Sequence, residues 1–227
     1  MNLRVVSDLH LNPTSEERNG RFLDFLQDAL EKKDQVLIVG DLFDLWFGWP
    51  QLQFKFQANI LIKMNDLAES GLRMDYVEGN RDFGIKMLPF SLFQNVTSEG
   101  MNLRWGDRII YAEHGDLINK SDKQYRYFRK LTKNSFTFSL LKNLPASWML
   151  RLTTRLEKGL KNTNQAYRVR YPEEHCKVFR EAAFAKGADI VIVGHFHEQK
   201  ELKEELNSRP VLFYNLPGWE SGFKYLV

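Results

Sequence analysis

Four of the five histidines in this 227-residue chain sit in short polar loops that follow apolar runs. The loops are Asp8-Leu9-His10, His114-Gly115-Asp116 and Gly194-His195-Phe196-His197. Two further apolar runs end in Gly40-Asp41 and Gly79-Asn80-Arg81-Asp82. Carboxylate, amide and imidazole donors without thiolates suit borderline divalent cations such as Mn²⁺, Fe²⁺, Co²⁺ or Zn²⁺. Two such ions held ~3.5–4 Å apart can clamp a phosphoryl group and share an activated water. A carboxylate is the natural bridge at that separation, and Asp41 is the candidate. One ion would then take Asp8, His10 and His197, and the other Asn80, His114 and His195. Taken singly, an Asp after a strand is a turn or helix cap, and Asn80 beside Gly79 is a turn. Five such loops in one chain favour the two-metal reading. His175 lacks this context and reads as a helix-surface residue.

The elements that must position these loops follow from periodicity. Leu3 to Val6, Gln35 to Val39, Met74 to Val77 and Asp189 to Val193 read as strands, each running straight into one of the loops. Strands at Leu103–Trp105 and Ile109–Ala112 flank a hairpin turn at Gly106-Asp107, and the second leads into His114. Helical spacing is seen from Arg21 to Lys33 and from Phe54 to Ser70, with Gly71 as the stop. Pro172 opens another helix that ends near Gly187. Short strands at Val211–Tyr214 and Phe223–Val227 close the chain. In α/β sheets ligands collect beyond the carboxyl ends of strands, so the loops can converge at one edge. The expectation is one α/β domain spanning 1–227.

Composition excludes several classes. No apolar run approaches the ~20 residues needed to span a bilayer, no signal-peptide pattern opens the chain, and Cys176 alone can form neither an internal disulfide nor a thiolate zinc cluster. A cytoplasmic location is the default expectation. The net charge of +3 is unevenly spread: residues 120–170 carry 13 Lys or Arg against Asp122 and Glu157, or +11, and the rest of the chain carries −8. This segment mixes basic residues with Tyr125, Phe128, Leu131, Phe136, Phe138 and the run from Trp148 to Leu160, a pattern of short amphipathic helices. It reads as a basic helical insertion at 120–170. Such a surface can rest on an anionic membrane. It could also attract nucleic acid, with Tyr125, Tyr127 and Phe128 stacking on bases, which is the weaker alternative.

The ordered series of motifs, from Asp8-Leu-His10 through Gly40-Asp41-Leu-Phe-Asp44, Gly79-Asn80-Arg81-Asp82 and His114-Gly-Asp116 to Gly194-His195-Phe-His197, resembles the calcineurin-like metallophosphoesterase superfamily. The resemblance implies a sandwich of two β-sheets flanked by helices, and its ligand pattern matches the assignment above. Most members carry His after the metal-binding Asn; here it is Arg81. An arginine cannot act as a general acid near neutral pH, but its planar fork can hold developing charge on phosphate oxygens. Asn80-Arg81-Asp82-Phe83, the run from Gly40 to Trp46, and Asp122, Tyr125, Phe128 and Arg129 after His114 look like the UDP-2,3-diacylglucosamine pyrophosphatases of bacterial lipid A synthesis.

That resemblance implies a helical cap over the metals that holds acyl chains, and water attack on the α-phosphorus to give UMP and 2,3-diacylglucosamine 1-phosphate. It makes Arg81, Asn80 and His195 catalytic, and Asn80, Arg81, Asp122, Asn164 and His195 substrate contacts. It implies two ions, Mn²⁺ foremost, a lipid-linked nucleotide as substrate, and peripheral attachment to the cytoplasmic face of the inner membrane, with no protein partner expected. The chain departs from the family where Leu160 and Tyr167 replace a Ser and a Lys, with Lys161 or Arg168 near enough to supply the charge. Asn215-Leu-Pro-Gly218-Trp219 matches the family's last segment only loosely. Another nucleotide or phosphodiester substrate is the alternative reading. A non-catalytic scaffold is a remote one, because all seven ligand positions are kept.

Overall fold

Strand alternation decides the layers. In the computed structural model, which describes residues 2–49, 52–88, 91–134, 171–206 and 208–226, the elements run in order as follows. They are β1 (Leu3–Val6), α1 (Glu16–Glu31), β2 (Gln35–Val39), β3 (Trp46–Phe47), α2 (Lys55–Glu69), β4 (Arg73–Val77), β5 (Asp82–Phe83), a 3-10 turn (Ile85–Met87), β6 (Asn95–Thr97), β7 (Met101–Trp105), β8 (Arg108–Glu113), α3 (Lys123–Thr132), α4 (Glu173–Ala185), β9 (Ile190–Val193), β10 (Lys200–Leu206) and β11 (Arg209–Asn215). One sheet has the order β1-β2-β4-β6 and is parallel throughout. The other has the order β10-β11-β9-β8-β7, parallel across β11, β9 and β8 and antiparallel at both outer pairs. β3 and β5 form a small parallel pair.

Side chains on successive strand residues face opposite ways, and the buried clusters follow that rule. Leu3, Val5, Leu37, Val39 and Val77 of the first sheet meet Met101, Ile110, Ala112 and Ile192 of the second, which forms the interior of the sandwich. The alternate residues Val6, Val36, Ile38, Met74 and Tyr76 face outward onto Phe22, Leu26 and Ala29 of α1 and Ile60, Leu61 and Met64 of α2. On the far side Val191, Val193, Val211 and Phe213 receive Cys176, Ala183 and Phe184 from α4. The architecture is the expected helix–sheet–sheet–helix sandwich.

Among the differences from the sequence reading, three have a plain physical reason. Helix α1 begins at Glu16, five residues early, because a polar first turn carries no apolar stripe; Glu16 and Glu17 there suit the positive end of the helix dipole. The expected final strand at Phe223–Val227 is not a strand in its described residues. Only Leu226 pairs, through two backbone hydrogen bonds to Val5. β10 was missed because Lys200-Glu-Leu-Lys-Glu-Glu-Leu206 is mostly charged, as suits a solvated edge strand. Of the proposed insertion, residues up to 134 are described, including α3; Phe136, Phe138, Leu160, Lys161, Asn164, Tyr167 and Arg168 lie outside the described residues. No helix among the described residues is long and apolar enough to cross a membrane.

One buried ion pair anchors the first strand. Arg4 donates Nε to Asp34 at 2.9 Å and Nη1 to Asp28 at 2.7 Å, and the Asn2 amide donates to Asp34 at 2.6 Å. Burial alone would push the Asp34 carboxyl up, but the Asn2 amide and Arg4 outweigh it and hold it below the ordinary range. Stabilisation from a lowered carboxyl is complete above its unfolded value of ~3.9 and is lost as pH falls through the folded value. Asp34→Asn is therefore expected to lose about 1.5–3 kcal/mol in urea unfolding at pH 7. The gap from wild type should close only below about pH 4; a gap independent of pH would show that the Asp34 charge is not involved.

Candidate metal centre

The carboxyl ends of β1, β2, β4, β8 and β9 meet at one edge of the sandwich. Cross-links between the two sheets join them there: His114 Nδ1 lies 2.8 Å from the Val39 carbonyl, and the His195 amide donates to Asp8 Oδ2 at 2.8 Å. Asp8, His10, Asp41, His195 and His197 all have left-handed backbone, with φ of 53°, 45°, 56°, 68° and 54°. That conformation crowds Cβ against the carbonyl and is rare outside glycine. Here it folds each strand end back on itself, so Asp8 and His10 turn toward one point with His197, while His195 turns toward Asn80. Hydrogen bonds hold it, from Asp8 N to the Gly40 carbonyl (3.1 Å) and from His10 N to the Asp41 carbonyl (3.0 Å). Gly79 and Gly194 permit the close approach: a Cβ on the first would overlap Asp41 Oδ1, and on the second Ser7 Oγ.

Two sets of donors result. Atoms bonded at ~2.1 Å to one ion stand ~3–3.5 Å apart. In the first set His197 Nε2 is 3.2 Å from Asp8 Oδ1 and 3.4 Å from His10 Nε2, with His10 Nε2 3.8 Å from Asp41 Oδ2. In the second, Asn80 Oδ1 is 3.0 Å from both His114 Nε2 and His195 Nδ1, and His114 Nε2 is 3.7 Å from Asp41 Oδ1. Asp41 thus turns one oxygen to each set. Asp8, His10 and His197 form one group close enough for a shared ion, and Asp8, Asp41 and His114 another.

The hydrogen bonding fits cations. Asp8 Oδ1 is buried without a hydrogen bond, while Oδ2 is satisfied by Ser7 Oγ and the His195 amide. With Nδ1 of His114 donating to the Val39 carbonyl, its Nε2 presents a lone pair toward the oxygens of Asn80 and Asp41. Acceptors facing acceptors call for a positive centre. Without one, the Asn80 amide turned over would donate to His114, His195 and Asp41 instead.

Electrostatics divide the donors. Burial pushes His10 and His195 down to about 4, so both imidazoles are neutral near pH 7. Asp8 is driven well below the carboxylate range despite its burial, because His197, His114 and His10 surround it. Burial raises Asp41 against the pull of His114. His114 and His197 are raised: burial opposes their charge, but neighbouring carboxylates outweigh it.

All seven expected ligands therefore come together. Arg81 is buried beside them; its amide donates to Asp41 Oδ1 at 2.8 Å, and its charge bears on both His10 and Asp41. Asp122 has another visible task, since its carboxylate caps α3 by accepting from the Tyr125 amide at 2.8 Å. Asn164 lies outside the described residues. His175 sits on α4 near Ser121 Oγ, 3.2 Å away, apart from the centre. The sequence reading gave no role to Ser7 or Asp82. Asp82 Oδ2 accepts from the amides of Asp41 (2.8 Å) and Gly79 (2.7 Å) and from the Tyr76 hydroxyl (2.8 Å), which locks two ligand loops together. Burial and then Asp41 push its carboxyl up to about 6. Its place next to Asn80-Arg81 was the available signal.

An αββα sandwich with Asp, Asn and His donors gathered at the carboxyl ends of its strands defines the metallophosphoesterase class. A crystal structure of a protein of unknown function from Aquifex aeolicus shares this fold, with a TM-score of 0.51 at 16% identity over 100% of this chain and 95% of that one. The chain belongs to the calcineurin-like phosphoesterase family, whose model matches residues 1–199, and it is a phosphoester hydrolase. It is 26% identical to a UDP-2,3-diacylglucosamine hydrolase of Pseudomonas aeruginosa, across 97% of this chain and 92% of the relative. It is 27% identical to enzymes of the same name from Haemophilus influenzae and Neisseria meningitidis, across 91% of this chain and 87% of each.

Each ion bound at about 100 times its Kd is expected to add ~2.7 kcal/mol to the unfolding free energy. Titration of Mn²⁺ against thermal unfolding should show two such increments in the wild type, one in His197→Ala, and neither at full size in Asp41→Asn. Equal stabilisation of all three proteins would refute the shared carboxylate.

Proposed function

We propose that this protein is a binuclear metal-dependent hydrolase that cleaves UDP-2,3-diacylglucosamine, the substrate in its curated relatives' name, to UMP and 2,3-diacylglucosamine 1-phosphate. What supports the substrate is the extent of that likeness, across 97% of this chain and 92% of the relative. In this reading Asp8, His10 and His197 hold one ion and Asn80, His114 and His195 the other, with Asp41 shared. Divalent ions there, Mn²⁺ foremost, would supply Lewis acidity toward phosphoryl oxygens and lower the pKa of a bound water.

The chain's own groups do the rest. Arg81 gives its planar donors to the charge that develops on the phosphate. Asn80 and His195 face the same phosphoryl group, and Asp122 and Asn164 contact the remainder of the substrate. In this reading the 120–170 insertion would cap a single domain and receive the acyl chains. On α3 the exposed Lys123, Arg126 and Lys130, with Tyr127 and Leu131, suit the surface of an anionic bilayer, where each cation contributes ~1 kcal/mol. In this reading the enzyme works at the cytoplasmic face of the inner membrane, without a protein partner.

Purified full-length protein with Mn²⁺ is expected to release UMP from UDP-2,3-diacylglucosamine in mixed micelles. Arg81→Ala should lower kcat by about 10²–10³, with two ions still bound. No UMP from the metal-loaded enzyme, together with turnover of soluble nucleotides or phosphodiesters, would move the assignment to those substrates.

A further inference from the structure

The α3 segment turns Tyr125, Arg129 and Lys133 inward, while Arg126 stays exposed. Tyr125 Oη and Arg129 Nη1 both donate to Asp116 Oδ2, two residues after His114, and Arg126 Nη1 donates to the Leu117 carbonyl at 3.1 Å. Lys133, the residue that ends the helix, donates Nζ to the Gly79 carbonyl, immediately before Asn80. Its ammonium also lies 3.7 Å from Glu78 Oε2 and 5.5 Å from the centre of the Phe83 ring. Arg129 and Lys133 stand four residues apart and so share one helix face. Side-chain exposure is 10% for Arg129, 1% for Asp116, 6% for Lys133 and 5% for Glu78.

Burying two cations is a costly way to dock a helix, since desolvation opposes each unless it is well paired. Lys133 in particular spends its direct hydrogen bond on a neutral carbonyl. That carbonyl and Asp116 flank Asn80 and His114, which belong to the same donor set. The loops bearing Asp8, His10 and His197 are instead held by contacts of their own, such as Asp8 N with the Gly40 carbonyl and Arg18 Nη1 with the His10 carbonyl at 2.9 Å.

We infer that Arg129 and Lys133 are positioning residues for one ion of the pair: they hold the Asp116 carboxylate and the Gly79 carbonyl so that His114 and Asn80 meet His195 at bonding distance. The inference rests on the two-ion reading above. Groups that orient metal ligands from behind typically change affinity by about 10–100-fold when removed. The effect should fall on a single ion, because the clasp touches the loops of only one donor set.

The test is Mn²⁺ binding to the full chain by calorimetry and by electron paramagnetic resonance, without substrate. Wild type should bind two ions and show the spectrum of a coupled pair. Lys133→Met should keep one ion at wild-type affinity, weaken the other about 10–100-fold and lose the coupled signal, and Lys133→Arg should restore it. Arg180→Met removes a buried cation that pairs with Glu204, and should lower stability with both ions retained. Two tight ions in Lys133→Met, or equal weakening of both in Lys133→Met and Arg180→Met, would overturn the inference. If Lys133→Met does not fold, Arg129→Lys carries the same comparison: selective loss supports the clasp and unchanged binding refutes it. A wild type that takes up no Mn²⁺ overturns the two-ion reading itself, a distinguishable result.

Discussion

Lone pairs crowded into one buried place without protons between them set the terms for this molecule. Asp8 Oδ1 has no hydrogen-bond donor, and His114 Nε2 faces oxygens of Asn80 and Asp41. Reaching that arrangement requires left-handed backbone at five of the seven donor residues. At ~1–2 kcal/mol each, the five together approach the whole net stability of an ordinary domain, ~5–15 kcal/mol. Such a conformation persists only where its surroundings over-determine it. The dense sandwich interior and the hydrogen bonds from Gly40, Asp41 and Asp82 supply that constraint.

The architecture is suited to this because parallel strands deliver their carboxyl ends to one edge. β1, β2 and β4 bring Asp8, Asp41 and Asn80 from one sheet, and β8 and β9 bring His114 and His195 from the other. The gap between the sheets at that edge becomes the pocket. Its two halves differ in access: His197 has 37% of its side chain exposed, against 1% for His114. A charged phosphoryl group can enter from the open side, while the closed side gives rigid, buried imidazole donors.

The basic segment carries less free charge than its count implies. On α3, Arg129 and Lys133 are turned inward, and Lys123, Arg126 and Lys130 remain on the surface. The same short helix therefore faces two ways, with one face tied to the loops of Asn80 and His114 and the other open to an anionic environment. A substrate or surface that displaced α3 would act directly on the backbone that carries those donors.

Most of the scaffold was legible from residue order alone. Buried strands such as Gln35–Val39 and Ile190–Val193 show as continuous apolar runs, and a polar loop with metal-capable side chains after each run marks a strand end whatever the rest of the chain does. β10 and the first turn of α1 were hidden, because a charged edge strand and a polar helix start have no apolar periodicity to show. The pairing of donors needed the folded chain, since Asp8 and His195 are 187 positions apart and meet only through the packing of two sheets. So did the work of Asp82 and Lys133, whose ties to the ligand loops run to backbone groups. A backbone amide or carbonyl is the same at every residue, and nothing in residue type can say which one a buried side chain will find.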